Sequence, residues 1–186
     1  MVHNMDNKFN KTKYICIIST LFSLVLMFFN YFTLSVPSLN ELLSSDSFSI
    51  SLMTLPFFVS ENVIGLVSQF GGNSTALSVL ILCALIKTAS LFLVLVALLG
   101  LWRVFIKKEA SRLLVKANYI ILLLEFVSLV GIIFVNVIIN TFSAQISSLL
   151  GSNFEISFMP TIWLFLSIAF SLISLHYSQK VDKFLR

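Results

Sequence analysis

The chain has 186 residues, of which 58% are hydrophobic and 11% charged, with a formal net charge of +4 and a mean hydropathy of +1.01. Soluble domains carry about 25% charged residues, so there is too little charge here to coat a surface facing water. Nineteen Phe against 6 Gly and 3 Pro also exclude fibrous and low-complexity chains.

Four apolar runs reach the roughly 20 residues that a helix needs to cross the hydrocarbon. Span 1 is expected at 14–36, span 2 at 77–102, span 3 at 117–142 and span 4 at 159–177. Span 1 has the basic start of a signal peptide. Its apolar run is too long for an h-region and no A-x-A-like site follows, so it reads as a retained helix. The fold class is therefore an all-α integral membrane protein, a single domain over 1–186 built as a four-helix transmembrane bundle.

The connections sort by charge. Eleven of the twelve basic residues lie in the N-terminal tail, in 103–116 and in the C-terminal tail, whereas 37–76 and 143–158 carry none. By the positive-inside rule both termini face the cytoplasm and the two uncharged-to-acidic connections lie outside. The most natural location is the cell membrane. Splitting the basic residues among three short segments without interleaved aromatics argues against nucleic acid. The basic 103–116 connection reads as topology signalling, or as a contact with anionic lipid heads.

The first outside connection has structure of its own. "SFSISLMTL", 47–55, alternates apolar and polar residues with strand periodicity, as does "NFEISFM", 153–159. The two are expected to pair as a small extracellular cap. Between Pro56 and Gly71-Gly72, the positions Val59, Val63, Leu66 and Phe70 share one face of an amphipathic helix, with Glu61 and Ser68 opposite. Asn73-Ser74-Thr75 forms a glycosylation sequon.

Inside the spans the polar residues form stripes. An α-helix turns about 100° per residue. With Glu125 at the origin, Asn118 and Asn136 fall at about 20°, Ser128 at about −60° and Asn140 at about 60°. Span 4 repeats serine at Ser167, Ser171, Ser174 and Ser178, a single seam. Span 1 stacks Ser19, Ser23, Asn30 and Thr33, and span 2 places Ser90 near Lys87. Lipid favours apolar side chains, so the four stripes turn toward one another. The candidate intramembrane cluster is thus Lys87, Glu125, Asn30, Asn118, Asn136, Ser128 and Ser171. Small residues and hydroxyls of this kind serve helix packing in the ordinary case.

Lys87 and Glu125 ask for more, since each costs about 2.5–3.5 kcal/mol near the bilayer centre. From the span midpoints Lys87 lies about 4 Å to one side and Glu125 about 7 Å to the other, and their side chains lean apart. A direct or water-bridged pair, separate satisfaction of each, and a proton- or ion-linked site remain as alternatives.

The sequence holds no zinc-ligand spacing, no Gly-rich phosphate loop, no G-x-S-x-G and no H-E-x-x-H. His3 and His176 are isolated. No catalytic residue, cofactor or metal is expected. The favoured reading is a non-enzymatic multi-pass protein acting through protein–protein contacts, as a subunit, an assembly or adhesion factor, or an immunity- or regulator-like protein. Its expected partners are membrane lipids and other membrane or extracellular proteins, with a homo-oligomer as a further arrangement. The alternative is a transporter or channel subunit that uses the polar interior around Lys87 and Glu125.

If the two charges are coupled, Lys87→Met and Glu125→Gln each lower the membrane level of the protein and the double variant recovers part of the loss. Quantitative immunoblotting of the four species tests this, and strictly additive losses refute coupling.

Overall fold

The computed structural model describes residues 2–35, 48–51, 78, 81, 85, 88–107, 109–150 and 157–186. The chain is mostly helical, with four helices long and apolar enough to cross a membrane: Phe9–Leu26, Thr88–Lys107, Arg112–Val137 and Ile162–Leu185. We label the helices α1 (Val2–Leu26), α2 (88–102, continued by a π-helical turn, Arg103–Lys107), α3 (Arg112–Leu150) and α4 (Ile162–Leu185). The strands are β1 (Asn30–Ser35), β2 (Phe48–Ser51) and β3 (Ser157–Pro160). Lys87, the amphipathic stretch 56–72 and the Asn73 sequon all lie outside the described residues.

The first difference from expectation is where α1 ends. Span 1 was expected to continue to Val36, but the helix stops at Leu26. A tight turn closes it, with the amides of Phe28 and Phe29 donating to the carbonyls of Val25 and Leu26 at 3.1 and 3.0 Å. The residues beyond, "NYFTLS", are strand. This run is rich in aromatic and β-branched residues, and short apolar runs do not reveal from periodicity alone whether they are helix or strand. Strands on both sides settle the matter by pairing its backbone.

Both segments with strand alternation do contain strands, but they do not pair with each other. The sheet order is β2-β1-β3, and both neighbours run antiparallel to β1. Thus the span 1 extension is the central strand of a three-stranded sheet. The β1–β2 register shifts between Asn30 and Phe32, at Tyr31. Bulges of this kind re-aim a side chain, and Tyr31 is fully buried in the bundle.

α3 and α4 are longer than expected. α3 begins at Arg112, not 117, because Ser111 caps it: its Oγ accepts the Leu114 amide at 3.3 Å. α4 runs to Leu185 rather than 177, since Ser178, Val181 and Asp182 continue its buried face.

Three apolar clusters hold the helices. Leu24 and Met27 meet Leu93, Ala97, Ala117 and Ile121 of α2 and α3. Cys16, Leu101, Val104, Leu114 and Val181 join all four helices at the end opposite the sheet. Tyr31, Ile132 and Leu164 close the sheet end. Large apolar side chains such as Phe92, Phe134 and Ile162 are exposed around the outside, the inverse of a soluble protein and the pattern that lipid solvation produces.

α2 lies close against α3 at Gly100: a Cβ there would lie 2.8 Å from Leu114 Cβ and 2.9 Å from Leu114 Cα, whereas one on Gly131 meets nothing within 4 Å. Gly100→Ala is expected to destabilise the protein by about 1–3 kcal/mol, the usual cost of overpacking. Gly131→Ala is expected to be neutral or stabilising by up to about 1 kcal/mol. Thermal unfolding of both variants in mild detergent checks the contrast.

Candidate functional site

The interior polar site is built from three elements. On α4 the spacing i, i+4, i+7, i+11 keeps Ser167, Ser171, Ser174 and Ser178 on one face, and all four are buried. On α1, Ser19, Thr20 and Ser23 face inward and are buried too. Serine is small enough for the two helices to lie close, and the hydroxyls then meet: Thr20 Oγ1 lies 2.6 Å from Ser174 Oγ, and Ser23 Oγ lies 2.7 Å from Ser171 Oγ.

α3 contributes Glu125 and Asn118, both 1% exposed. The Glu125 Oε1 accepts hydrogen bonds from Ser171 Oγ at 3.0 Å and from Ser167 Oγ, and Tyr31 OH lies 3.4 Å from it. Tyr31 OH also lies 2.8 Å from Ser167 Oγ. Each hydroxyl has one proton to give. Ser167 and Ser171 give theirs to Glu125, so they accept from Tyr31 and Ser23. Two chains of donors converge on one carboxylate oxygen, Tyr31 to Ser167 and Ser23 to Ser171. Chains of this kind polarise in series and strengthen the last bond.

The second layer has its own direction. Thr20 Oγ1 donates to the Cys16 carbonyl at 2.8 Å, a normal bond along its own helix. It therefore accepts from Ser174, and also from Asn118 Nδ2 at 3.5 Å. Two buried oxygens on α3, Glu125 Oε2 and Asn118 Oδ1, have no hydrogen-bond partner among the described residues. No group of three or more His, Cys, Asp or Glu side chains able to hold a metal occurs among those residues.

Of the seven residues singled out from the sequence, the structure brings Glu125, Asn118 and Ser171 together in the interior. Ser128 is half-buried and donates to the Leu124 carbonyl of its own helix at 2.8 Å. Asn136 is half-buried and Asn140 is exposed. The α3 stripe is real as a direction, but α3 outruns its neighbour: Ile132 already packs at the first turn of α4, against Leu164. Asn30 is half-buried on β1, not on a helix face, and its carbonyl accepts from Thr161 Oγ1. Whether Lys87 meets Glu125 falls outside the described residues.

Sequence reasoning missed Tyr31 and Thr20. Thr20 follows Ser19 on the same inward face, a signal already present in the wheel. Tyr31 carried none, because its position depends on the strand and its bulge.

Comparison with protein-family models, with curated proteins and with solved structures finds no match to this chain.

A hydrogen bond between neutral groups is worth about 0.5–1.5 kcal/mol and leaving a buried partner unsatisfied costs about 1–3 kcal/mol. Ser171→Ala breaks two contacts, to Glu125 and to Ser23, and Ser174→Ala one, to Thr20, so the first should lower stability more. Denaturant or thermal unfolding in detergent gives the ranking; equal losses argue against convergence on the carboxylate.

Proposed function

We propose that this chain is a non-enzymatic four-span protein of the cell membrane that works by binding other proteins. The roles that fit are subunit, assembly or adhesion factor, and immunity- or regulator-like protein. The observation that carries the reading is how the interior polar groups are used. The hydroxyls of α1 and α4 bond to each other and to Glu125, so the polar seam acts as interhelical glue rather than as the lining of a passage. A protein whose inside is occupied in this way meets its partners through its outer faces and its connections. The apolar stripe of Val59, Val63, Leu66 and Phe70 in the sequence supplies such a face.

The proposed orientation has both termini in the cytoplasm. It is supported by the gathering of basic side chains at one end of the bundle. Lys13 donates to the Phe105 carbonyl at 3.1 Å, and Phe9 packs on Phe184. The N-terminal helix, the 103–111 connection and the end of α4 therefore lie together, as the positive-inside rule requires of cytoplasmic segments.

A second reading, transporter or channel subunit, draws on Glu125 Oε2 and Asn118 Oδ1, two interior oxygens on one face of α3 with no hydrogen-bond partner among the described residues.

Two measurements separate these readings. Isolated from native membranes in mild detergent, the full chain should retain a stoichiometric protein partner, and Val63→Asp with Leu66→Asp should release it without changing membrane insertion. Purified protein in liposomes should pass ions and small solutes no faster than empty vesicles. Flux that Glu125→Gln abolishes replaces the binding role with the transport role.

A further inference from the structure

The outward face of α3 is sorted along its length. At about 100° per residue, Arg112, Lys116, Tyr119, Leu123, Phe126 and Val130 fall on one stripe about 80° wide. All six are exposed, whereas Asn118 and Glu125, about 120–140° round the helix from Arg112, are buried. The stripe starts with two cations, passes an aromatic ring with a polar tip and continues as hydrocarbon. Several other basic side chains at this end are engaged by the protein itself. Lys13 donates to the Phe105 carbonyl, Lys107 and Lys180 lie over the Trp102 and Tyr177 rings, and Arg186 pairs with Asp182. The Arg112 and Lys116 side chains make no such contact among the described residues.

We infer that this stripe is a docking surface for a phospholipid of net negative charge, taken from the leaflet at the basic end. Its head meets Arg112 and Lys116, and an acyl chain runs along Tyr119, Leu123, Phe126 and Val130. Charge complementarity selects the head. Two cations one turn apart on one face favour a phosphate that no ammonium of its own head neutralises, and Arg can take that phosphate in bidentate fashion. Glu109 is the one acidic side chain in 103–116, and it lies before α3 begins. Gly100 packs against Leu114, so α2 ends beside the start of α3, and its exposed Arg103 adds positive potential there.

Depth agrees with this assignment. Exposed tyrosines favour the level where tails give way to heads. Along the axis Lys116 lies about 4.5 Å and Arg112 about 10.5 Å beyond Tyr119. Helical side chains lean toward the N-terminus, which on α3 is toward the heads. The head layer is roughly 5–8 Å thick on each side, so Lys116 falls within it and Arg112 at its outer edge. A soluble acidic segment of another protein, the rival occupant, would meet the cations and leave the apolar length of the stripe uncovered. The inference rests on the membrane embedding of the four helices and is independent of the protein-binding role proposed above.

The test uses the full chain, purified and reconstituted in phosphatidylcholine vesicles, with a single tryptophan as reporter. The chain has two tryptophans. Tyr119→Trp with Trp102→Phe and Trp163→Phe reports on the stripe. Trp102→Phe alone leaves Trp163, in the first turn of α4 at the sheet end, as the control. Phosphatidylglycerol and phosphatidylcholine, each brominated near the ester end of its chains, quench the reporter, and the ratio of the two gives their relative affinity at that place. At the stripe the anionic lipid should be favoured at least about fivefold, which corresponds to the roughly 1 kcal/mol of one basic side chain near anionic lipid. At Trp163 the ratio should be near one. Arg112→Gln with Lys116→Gln should bring the stripe ratio close to one, and Arg112→Lys with Lys116→Arg should keep it. A stripe ratio near one overturns the inference, as do equal ratios at the two reporters or a preference that survives in the double Gln variant. If that variant fails to fold, raising the salt concentration with the stripe reporter replaces it: screening of the head contact must lower the ratio, and a ratio indifferent to salt overturns the inference.

Discussion

The structure depends on one constraint: a hydroxyl or carboxylate inside hydrocarbon has no water to fall back on, so each must find a protein partner. The serine seam of α4 meets this constraint against α1. Serine side chains let the two backbones approach, and approach makes the Thr20–Ser174 and Ser23–Ser171 pairs. The same closeness brings Ser167 and Ser171 within reach of Glu125 on α3. The order of causes runs from seam to site. Without the α4 serines Glu125 would be buried without its donors, a state that costs more than the bonds themselves contribute.

What fixes the seam in register is the small sheet. β3 ends at Pro160, paired with Phe32. A proline lacks the ladder donor and is tolerated on an edge strand such as β3. The next residue, Thr161, ties α4 to the end of α1 twice, through its amide to the Tyr31 carbonyl at 2.9 Å and through its hydroxyl to the Asn30 carbonyl. α4 therefore starts from a point set by the chain that leaves α1. Tyr31 then reaches down from the bulge to Ser167 and Glu125, so backbone pairing outside the bundle and side-chain pairing inside it share one residue.

How much of this was legible in the sequence follows from which physical rule places each residue. Ser167, Ser171, Ser174, Glu125 and Asn118 were legible because helical geometry alone puts them on inward faces. The four apolar helices were legible because length and hydropathy suffice. Asn30, Thr33 and Tyr31 were not, since the turn at 27–29 lacks glycine and proline and the residues after it are as apolar as those before. Their strand state comes from two partners distant in the chain, which a local window does not contain. Asn136 and Asn140 share the direction of Glu125 yet lie beyond the first turn of α4, and a wheel records angle but not where a neighbour begins. The α4 extension escaped because Lys180 and Lys183 end the apolar run while Ser178, Val181 and Asp182 carry its buried face onward.

The seam supplies close approach more than energy. A hydrogen bond between membrane helices averages about 0.6 kcal/mol, so two hydroxyl pairs do not hold α1 to α4. Close apolar packing around Cys16, Leu101, Val104, Leu114 and Val181 does more. Packing of this kind is tolerant, however: aliphatic side chains of similar size pack nearly as well after a helix slides by one turn. The polar contacts at the start of α4 are less tolerant: a slide of one turn in either direction parts Thr161 from the Tyr31 and Asn30 carbonyls. The serines of α4 recur about once per turn, so a slide that carries Ser171 to the place of Ser167 still leaves a hydroxyl near Glu125. Register is therefore set by the bonds at the sheet end, and the serine seam lets the helices close once that register is set.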